Sequence, residues 1–223
     1  MKADELSGQD LVIFGCGYLG SRLGELARAE GLRVHALTRN PATADRLRNK
    51  GFSVYRGTLE DDAWHGSIPA SPALAVNCVG SPDRTEDGYR RSYLGGMGSI
   101  ARWARRGPPG LFVYTSSTGV YGSATGAVDE ETPVRDLSPR NQILALTEQR
   151  VAEGTISSRW FVLRLTGLYG PGRHRLLDRV RAGDPALDAE PDRRLNTIHR
   201  DDACAAILAC FWTDPTVPSQ VLN

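Results

Sequence analysis

The stretch Leu11-Val12-Ile13-Phe14-Gly15-Cys16-Gly17-Tyr18-Leu19-Gly20 constrains this chain more than any other segment. A short apolar run breaks into G-x-G-x-x-G, and an amphipathic segment carrying Leu19, Leu23, Leu26 and Ala27 follows. Strand, glycine turn and helix in that order make a dinucleotide-binding turn. Gly15 would allow the tight turn, Gly17 would let the backbone approach a pyrophosphate, and Gly20 would let the helix pack close to the strand. The phosphates would sit on the free N–H groups of the helix N-terminus, around Tyr18 and Leu19, where the dipole favours negative charge. A tight connection without a ligand is the alternative for such a turn. A second apolar run, Leu32 to Thr38, lies one βαβ unit further on and favours the nucleotide site.

The end of that second run selects the cofactor. An Asp or Glu there accepts hydrogen bonds from the ribose 2′-OH of NAD, whereas an Arg accommodates the 2′-phosphate of NADP. The chain has Thr38-Arg39-Asn40 and no acid. Arg39 can form a charge-assisted pair with the phosphate, and Thr38 or Asn40 can add hydrogen bonds. A solvated Arg39 in the loop before Pro41 is the plainer alternative. NADP is the expected cofactor, ahead of NAD.

At 223 residues the chain suits one α/β domain with at most a small appendage. Its formal charge of +1 carries no nucleic-acid footprint. Arg102 to Arg106 reads as the solvated end of a helix stopped by Gly107-Pro108-Pro109-Gly110. Cys16, Cys78, Cys204 and Cys210 form no C-x-x-C pair and lie in apolar or motif segments. That suits reduced thiols and gives no disulfide framework and no metal site. Met1 to Asp10 is too polar for a signal peptide, and no apolar run is long enough to span a membrane. The expected location is the cytoplasm, with no membrane partner.

Strands are expected near Leu11–Phe14, Arg33–Thr38, Ser53–Arg56, Leu74–Cys78, Leu111–Thr115 and Trp160–Leu165. Helices are expected near Tyr18–Glu30, Ala42–Lys50, Gly88–Arg106, Pro139–Ala152 and Asp201–Phe211, with Ser138 as an N-cap. Alternating strands and helices predict a doubly wound, Rossmann-like parallel sheet. Ligands of such sheets bind at the carboxyl ends of the strands. The segments there are Gly15–Gly20, Thr38–Asn40, Asn77–Ser81, Ser116–Gly122 and Thr166–Arg173, all rich in Gly, Ser, Thr or Asn.

Several segments together resemble the short-chain dehydrogenase/reductase superfamily, and within it the extended and atypical NAD(P)-dependent epimerase/dehydratase branch. Phe112 to Gly122 resembles the strand and catalytic-serine loop of that branch. Arg164-Leu165-Thr166-Gly167-Leu168-Tyr169-Gly170-Pro171-Gly172 resembles its "LR-x-x-x-x-YGPG" segment, and Asn196 to Ala203 its late "IHV-x-D-x-A" segment. Asn77-Cys78-Val79-Gly80 occupies the turn after the fourth strand, which flanks the cofactor. The resemblance implies an NAD(P)-binding Rossmann domain over residues 1–165. It implies a partial substrate-binding region over residues 166–223, interleaved with that domain and stopping short of its usual extent. It also implies a homodimer through the helices Gly88–Arg106 and Pro139–Ala152.

The chain departs from the branch where its chemistry resides. Active members pair a Ser or Thr with Tyr-x-x-x-Lys on the next helix. The Lys cation lowers the phenol pKa, and the Tyr trades a proton with the substrate oxygen while hydride moves. Ser117 aligns with the serine, but Arg140 stands at the Tyr position and Leu144 at the Lys position. No Tyr or Lys occurs in Ser138–Arg150. Thr58 replaces an Asp that often contacts adenine, and Tyr93 is nearest to a frequent Asn.

Ser117 could orient substrate or merely bond the turn backbone. Tyr121 could act as a surrogate acid, or be structural. Thr118 lies beside them on the substrate side. His199 could bind substrate, or serve as a cap or core group. Arg173 could pair with a substrate phosphate, or be solvated. The implied function is an NADP-dependent oxidoreductase or epimerase acting on a sugar-like or other small hydroxyl or carbonyl substrate. The alternative is a catalytically inactive NADP(H)-binding sensor or regulator.

Overall fold

Leu11, Val12, Ile13 and Phe14 are all fully buried, because the strand they form is covered on both faces, as parallel strands usually are. The computed structural model describes residues 7–183 and 195–223. Seven strands form the main sheet: β1 (Asp10–Phe14), β2 (Arg33–Thr38), β3 (Ser53–Arg56), β4 (Leu74–Asn77), β5 (Leu111–Ser117), β6 (Trp160–Leu165) and β9 (Gln220–Leu222). Their order is β3-β2-β1-β4-β5-β6-β9 and every pairing is parallel. This is the doubly wound Rossmann-like arrangement expected from the sequence. A separate parallel ribbon joins β7 (Gly167–Tyr169) to β8 (Thr197–His199).

Alternate residues of each strand face opposite layers. On one side Leu11 and Ile13 pack with Leu19 and Leu23 of α1 (Tyr18–Ala29) and with Ile207 and Phe211 of α7 (Arg200–Trp212). On the other side Val12 and Phe14 meet Trp64 and the helix α4 (Gly96–Ala104), which contributes Met97, Ile100 and Trp103. Phe14 sits 5.2 Å, centroid to centroid, from each of Trp64 and Trp103.

Helix ends follow local hydrogen bonding. Asn40 caps α2 (Pro41–Asn49) by accepting from the Thr43 N–H, and Ser138 caps α5 (Pro139–Ala152). The helix expected from Gly88 starts earlier, as α3 (Glu86–Tyr89), because the Thr85 hydroxyl accepts the Gly88 N–H at 3.0 Å. It runs through a π-helical segment, Arg90–Gly95, into α4. The basic end of α4 is more than a solvated terminus. Arg102 forks onto both oxygens of Asp62 at 2.7 and 2.9 Å, and Arg106 donates to the His65 carbonyl. A short helix α6 (Arg175–Arg181) completes the set.

The foot of the sheet carries a charge cluster with a pH signature. Arg33 donates to both Asp10 oxygens at 2.8 and 3.0 Å, and His35 Nε2 stands 2.8 Å from Asp10 Oδ1. The Arg33 hydrogen bonds, opposed in part by burial, lower Asp10 from 3.8 to about 2. A folded pKa below the unfolded one stabilises fully above about pH 4 and is lost as pH falls toward about 2. Asp10→Asn should therefore lower the melting temperature at pH 6 by roughly 2–4 °C, about 1 kcal/mol. It should also flatten the wild-type decline between pH 4 and pH 2, as followed by circular dichroism melts.

Candidate functional site

The register places Phe14 opposite both Leu37 and Asn77, so the turns after β1, β2 and β4 leave the sheet at one edge. The strand order reverses between β1 and β4, and ligands of open α/β sheets bind in the crevice at that switch point. A cavity of about 310 Å³ opens there, walled by Gly17, Thr38, Arg39, Thr58 and Gly80 among others.

The three glycines of the first turn do different things. Gly15 has φ +87°, and a β-carbon on it would stand 2.7 to 2.9 Å from Val79 side-chain and backbone atoms. A β-carbon on Gly20 would stand 2.5 Å from the Gly15 carbonyl, so the helix closes on the strand only with glycine there. Gly17 faces open space, with nothing within 4 Å of a β-carbon. Gly17 caps α1 without a side chain, and the first turn carries no acid. The first-turn N–H groups around Tyr18 and Leu19 therefore have neither a cap side chain nor an adjacent acid, the condition in which a helix N-terminus accepts an anion.

The edge also holds buried polar atoms without partners among the described residues: Tyr18 Oη, Asn77 Nδ2, Ser81 Oγ and Thr166 Oγ1. Such atoms are costly unless a ligand or water meets them. Asn77 is fully buried and its Oδ1 accepts the Val79 N–H at 3.0 Å, which shapes the turn against Gly15. Tyr93, in the π-helical segment, accepts the Ser81 N–H at 3.3 Å and so anchors the end of that turn. Burial raises the Tyr93 phenol pKa.

At the end of β2 the Thr38 hydroxyl accepts the Asn40 N–H at 3.4 Å, and the Asn40 side chain is spent on its cap. Arg39 is exposed at the cavity wall. Sequence reasoning missed Arg46, whose Nη2 stands 3.4 Å from Ser21 Oγ beside the glycine turn. The clue was available, since Thr43 and Arg46 share one face of α2 at a spacing of three.

The positions of the family's proton relay are filled differently. Arg140 is exposed, donates to the Arg84 carbonyl at 3.1 Å and lies 5.8 Å over the Tyr89 ring. Leu144 is buried in an apolar cluster with Val120, Tyr121, Tyr89 and Tyr93. Ser117, at the end of β5, accepts the Gly119 N–H at 3.1 Å and keeps its own proton free to donate. Thr118 follows it, half-buried, at the start of a 3-10 turn.

Tyr121 is tied into a hydrogen-bond cluster. Its Oη lies 2.7 Å from both the Asp129 carbonyl and Asn223 Oδ1, and it accepts from Arg164 Nη1 at 2.8 Å. Its single proton can serve only one of those acceptors. His199 caps α7, its Nδ1 accepting the Asp201 N–H at 3.2 Å. Arg173 lies over the Tyr18 ring. Among the described residues no three His, Cys, Asp or Glu side chains gather as metal ligands, and no helix is long and apolar enough to cross a membrane.

A doubly wound sheet with a glycine cradle at its switch point defines a Rossmann-type dinucleotide-binding protein. The model of the NAD dependent epimerase/dehydratase family matches residues 11–184, and the chain belongs to that family. It is 28% identical over 201 residues to Protein YeeZ of Escherichia coli K12, covering 88% of this chain and 71% of YeeZ. Among solved structures it resembles a Methylobacillus flagellatus protein assigned to the NAD-dependent epimerase/dehydratases, at 26% identity and a TM-score of 0.72. That match covers 96% of this chain and 74% of the other. The fold is also that of UDP-glucuronic acid 4-epimerase from Bacillus cereus, solved with NAD, at 18% identity and a TM-score of 0.76. Coverage there is 96% and 77%.

Proposed function

We propose that this protein binds NADP(H) in the crevice between β1 and β4 and uses it on a sugar-like or other small hydroxyl or carbonyl substrate. The observation that carries this reading is the open cradle over Gly17, with the unpartnered Asn77 amide near it. Gly15, Gly17, Tyr18, Leu19 and Gly20 would hold the pyrophosphate through their backbone groups alone. Asn77, Val79 and Gly80 would flank the nicotinamide half, and Thr38 and Arg39 would meet the adenosine ribose. Such a cofactor supplies a hydride donor or acceptor. The chain's part is to bind, orient and protonate the substrate.

The absence of an acid at the end of β2, with Arg39 exposed and Arg46 near Ser21, supports NADP over NAD. Fluorescence titration should show NADPH binding more tightly than NADH. Arg39→Ala should weaken NADPH by about ten- to hundredfold, the worth of a charge-assisted hydrogen bond, and leave NADH within about twofold. Equal loss for both cofactors would sink the assignment.

Ser117 stands where a substrate oxygen would be oriented, with Thr118, His199 and Arg173 on the substrate side. The Tyr121 phenol is engaged in a buried network, so we assign it to holding the loop. Proton transfer then falls to Ser117, His199 or solvent. Residues 1–165 form the cofactor domain in this reading and residues 166–223 the substrate side. A cytoplasmic homodimer through α3, α4 and α5 is part of it.

One observation favours a second reading. Leu144 is packed among apolar side chains where a cation would be needed, which suits a protein that binds the nucleotide without turning it over. The two readings part on one assay, NADPH oxidation with a panel of carbonyls and nucleotide sugars. Turnover that falls with Ser117→Ala supports the enzyme. Tight NADPH binding without turnover supports the sensor.

A further inference from the structure

The segment Tyr169-Gly170-Pro171-Gly172-Arg173 closes a tight turn. Gly170 and Arg173 exchange backbone hydrogen bonds at 2.9 and 3.2 Å, with φ +143° at Gly170 and +75° at Gly172. The turn carries the Arg173 guanidinium to 5.4 Å from the centre of the Tyr18 ring. Arg200, the first residue of α7, brings a second guanidinium to 4.8 Å from the same ring. Tyr18 is the first residue of α1, directly behind the Gly17 cradle.

The floor between these groups also consists of donors. A β-carbon at Gly170 would stand 2.8 Å from Tyr18 Oη and 3.0 Å from His199 Nε2, so both atoms lie close against Gly170. His199 Nδ1 accepts a backbone N–H, so the neutral ring carries its proton on Nε2. The Tyr18 hydroxyl is buried and has no partner. The Asp201 carboxylate is held by Arg22 through two bonds of 3.0 Å, and Arg200 Nε reaches it at 3.5 Å. Arg173 has no carboxylate partner among the described residues. Two cations thus lie over the Tyr18 ring, a phenol and an imidazole N–H stand beside Gly170, and Tyr18 Oη has no acceptor among the described residues.

The geometry points to a phosphate-binding pocket formed by Tyr18, Arg173, His199 and Arg200, separate from the first-turn amides of α1. Arg173 and Arg200 pair with the phosphate oxygens, as planar guanidinium groups do well, and Tyr18 and His199 donate from below. The pocket adjoins the cofactor turn, so its phosphate comes either from the substrate or from the dinucleotide. That placement rests on the proposed cofactor site, but the grouping of donors does not.

The test uses the full chain, Tyr18→Phe and Arg200→Gln, with two calorimetric titrations each. One uses NADPH, and the other uses glucose 1-phosphate added to protein saturated with NADPH. Melting curves establish that each variant folds. If the phosphate is the substrate's, wild type binds glucose 1-phosphate and each variant loses about tenfold or more, with NADPH affinity within twofold. If it is the cofactor's, each variant weakens NADPH by about tenfold and glucose 1-phosphate does not bind. Both outcomes support the pocket. Wild-type binding of glucose 1-phosphate without NADPH, lost in both variants, would keep the pocket even if NADPH failed to bind. Unchanged NADPH affinity in both variants, with no glucose 1-phosphate binding or binding equal to wild type, overturns it.

Discussion

Replacing Gly17 by aspartate is expected to abolish dinucleotide binding while leaving the melting temperature within a few degrees of wild type. A β-carbon at Gly17 meets nothing within 4 Å. The new carboxylate therefore projects into the cradle at no packing cost. It would stand against a pyrophosphate held on the amides of Tyr18 and Leu19. Two like charges about 4 Å apart at an effective dielectric near 20 repel by about 4 kcal/mol, roughly a thousandfold in affinity. NADPH fluorescence titration reads the loss and a thermal melt reads the fold. A dissociation constant within threefold of wild type would mean that no phosphate lies over Gly17. The neighbouring Gly15→Ala cannot serve as the test. Its β-carbon would collide with Val79 at φ +87°, so instability and lost binding would arrive together.

That contrast shows what a sequence exposes. The tight turn at Gly15 and the close packing at Gly20 were legible because the +87° φ and the contact with the Gly15 carbonyl arise within the motif. The cap at Ser138 and the doubly wound parallel sheet follow similar local or general rules. The β7–β8 ribbon was not legible. Each of its strands has three residues, and their pairing is decided by where β6 and α7 deliver the chain. The same distance effect hid the Tyr18 pocket, since Arg173 and Arg200 meet Tyr18 only through the fold. Tyr121 carried the opposite difficulty. A phenol near a catalytic-serine loop reads as a reactive group, and only the structure shows Arg164, Asp129 and Asn223 around its oxygen.

Glu148→Ala is expected to destabilise the protein by about 3–5 kcal/mol, lowering the melting temperature by roughly 6–20 °C. Glu148 lies one turn beyond Leu144 on α5 and is buried with Arg164, each side chain 7% exposed. Arg164 Nη2 donates to Oε2 at 2.8 Å, Arg164 Nε reaches both oxygens at 3.2 and 3.3 Å, and the Ser116 hydroxyl donates to Oε1 at 2.5 Å. Arg164 in turn donates to Tyr121 and stacks 4.9 Å over its ring. Truncating the glutamate leaves a guanidinium out of water with only a phenol oxygen to serve it, and this uncompensated charge dominates the cost. The double variant Glu148→Leu/Arg164→Met removes both charges and fills similar volume. It should recover most of the loss, because Tyr121 can still donate to the Asp129 carbonyl. If the double variant is as unstable as Glu148→Ala, the cost lies in the polar links to Ser116 and Tyr121 instead of the buried cation. The pair would then be what fixes Ser116, and through it the neighbouring Ser117, at the end of β5.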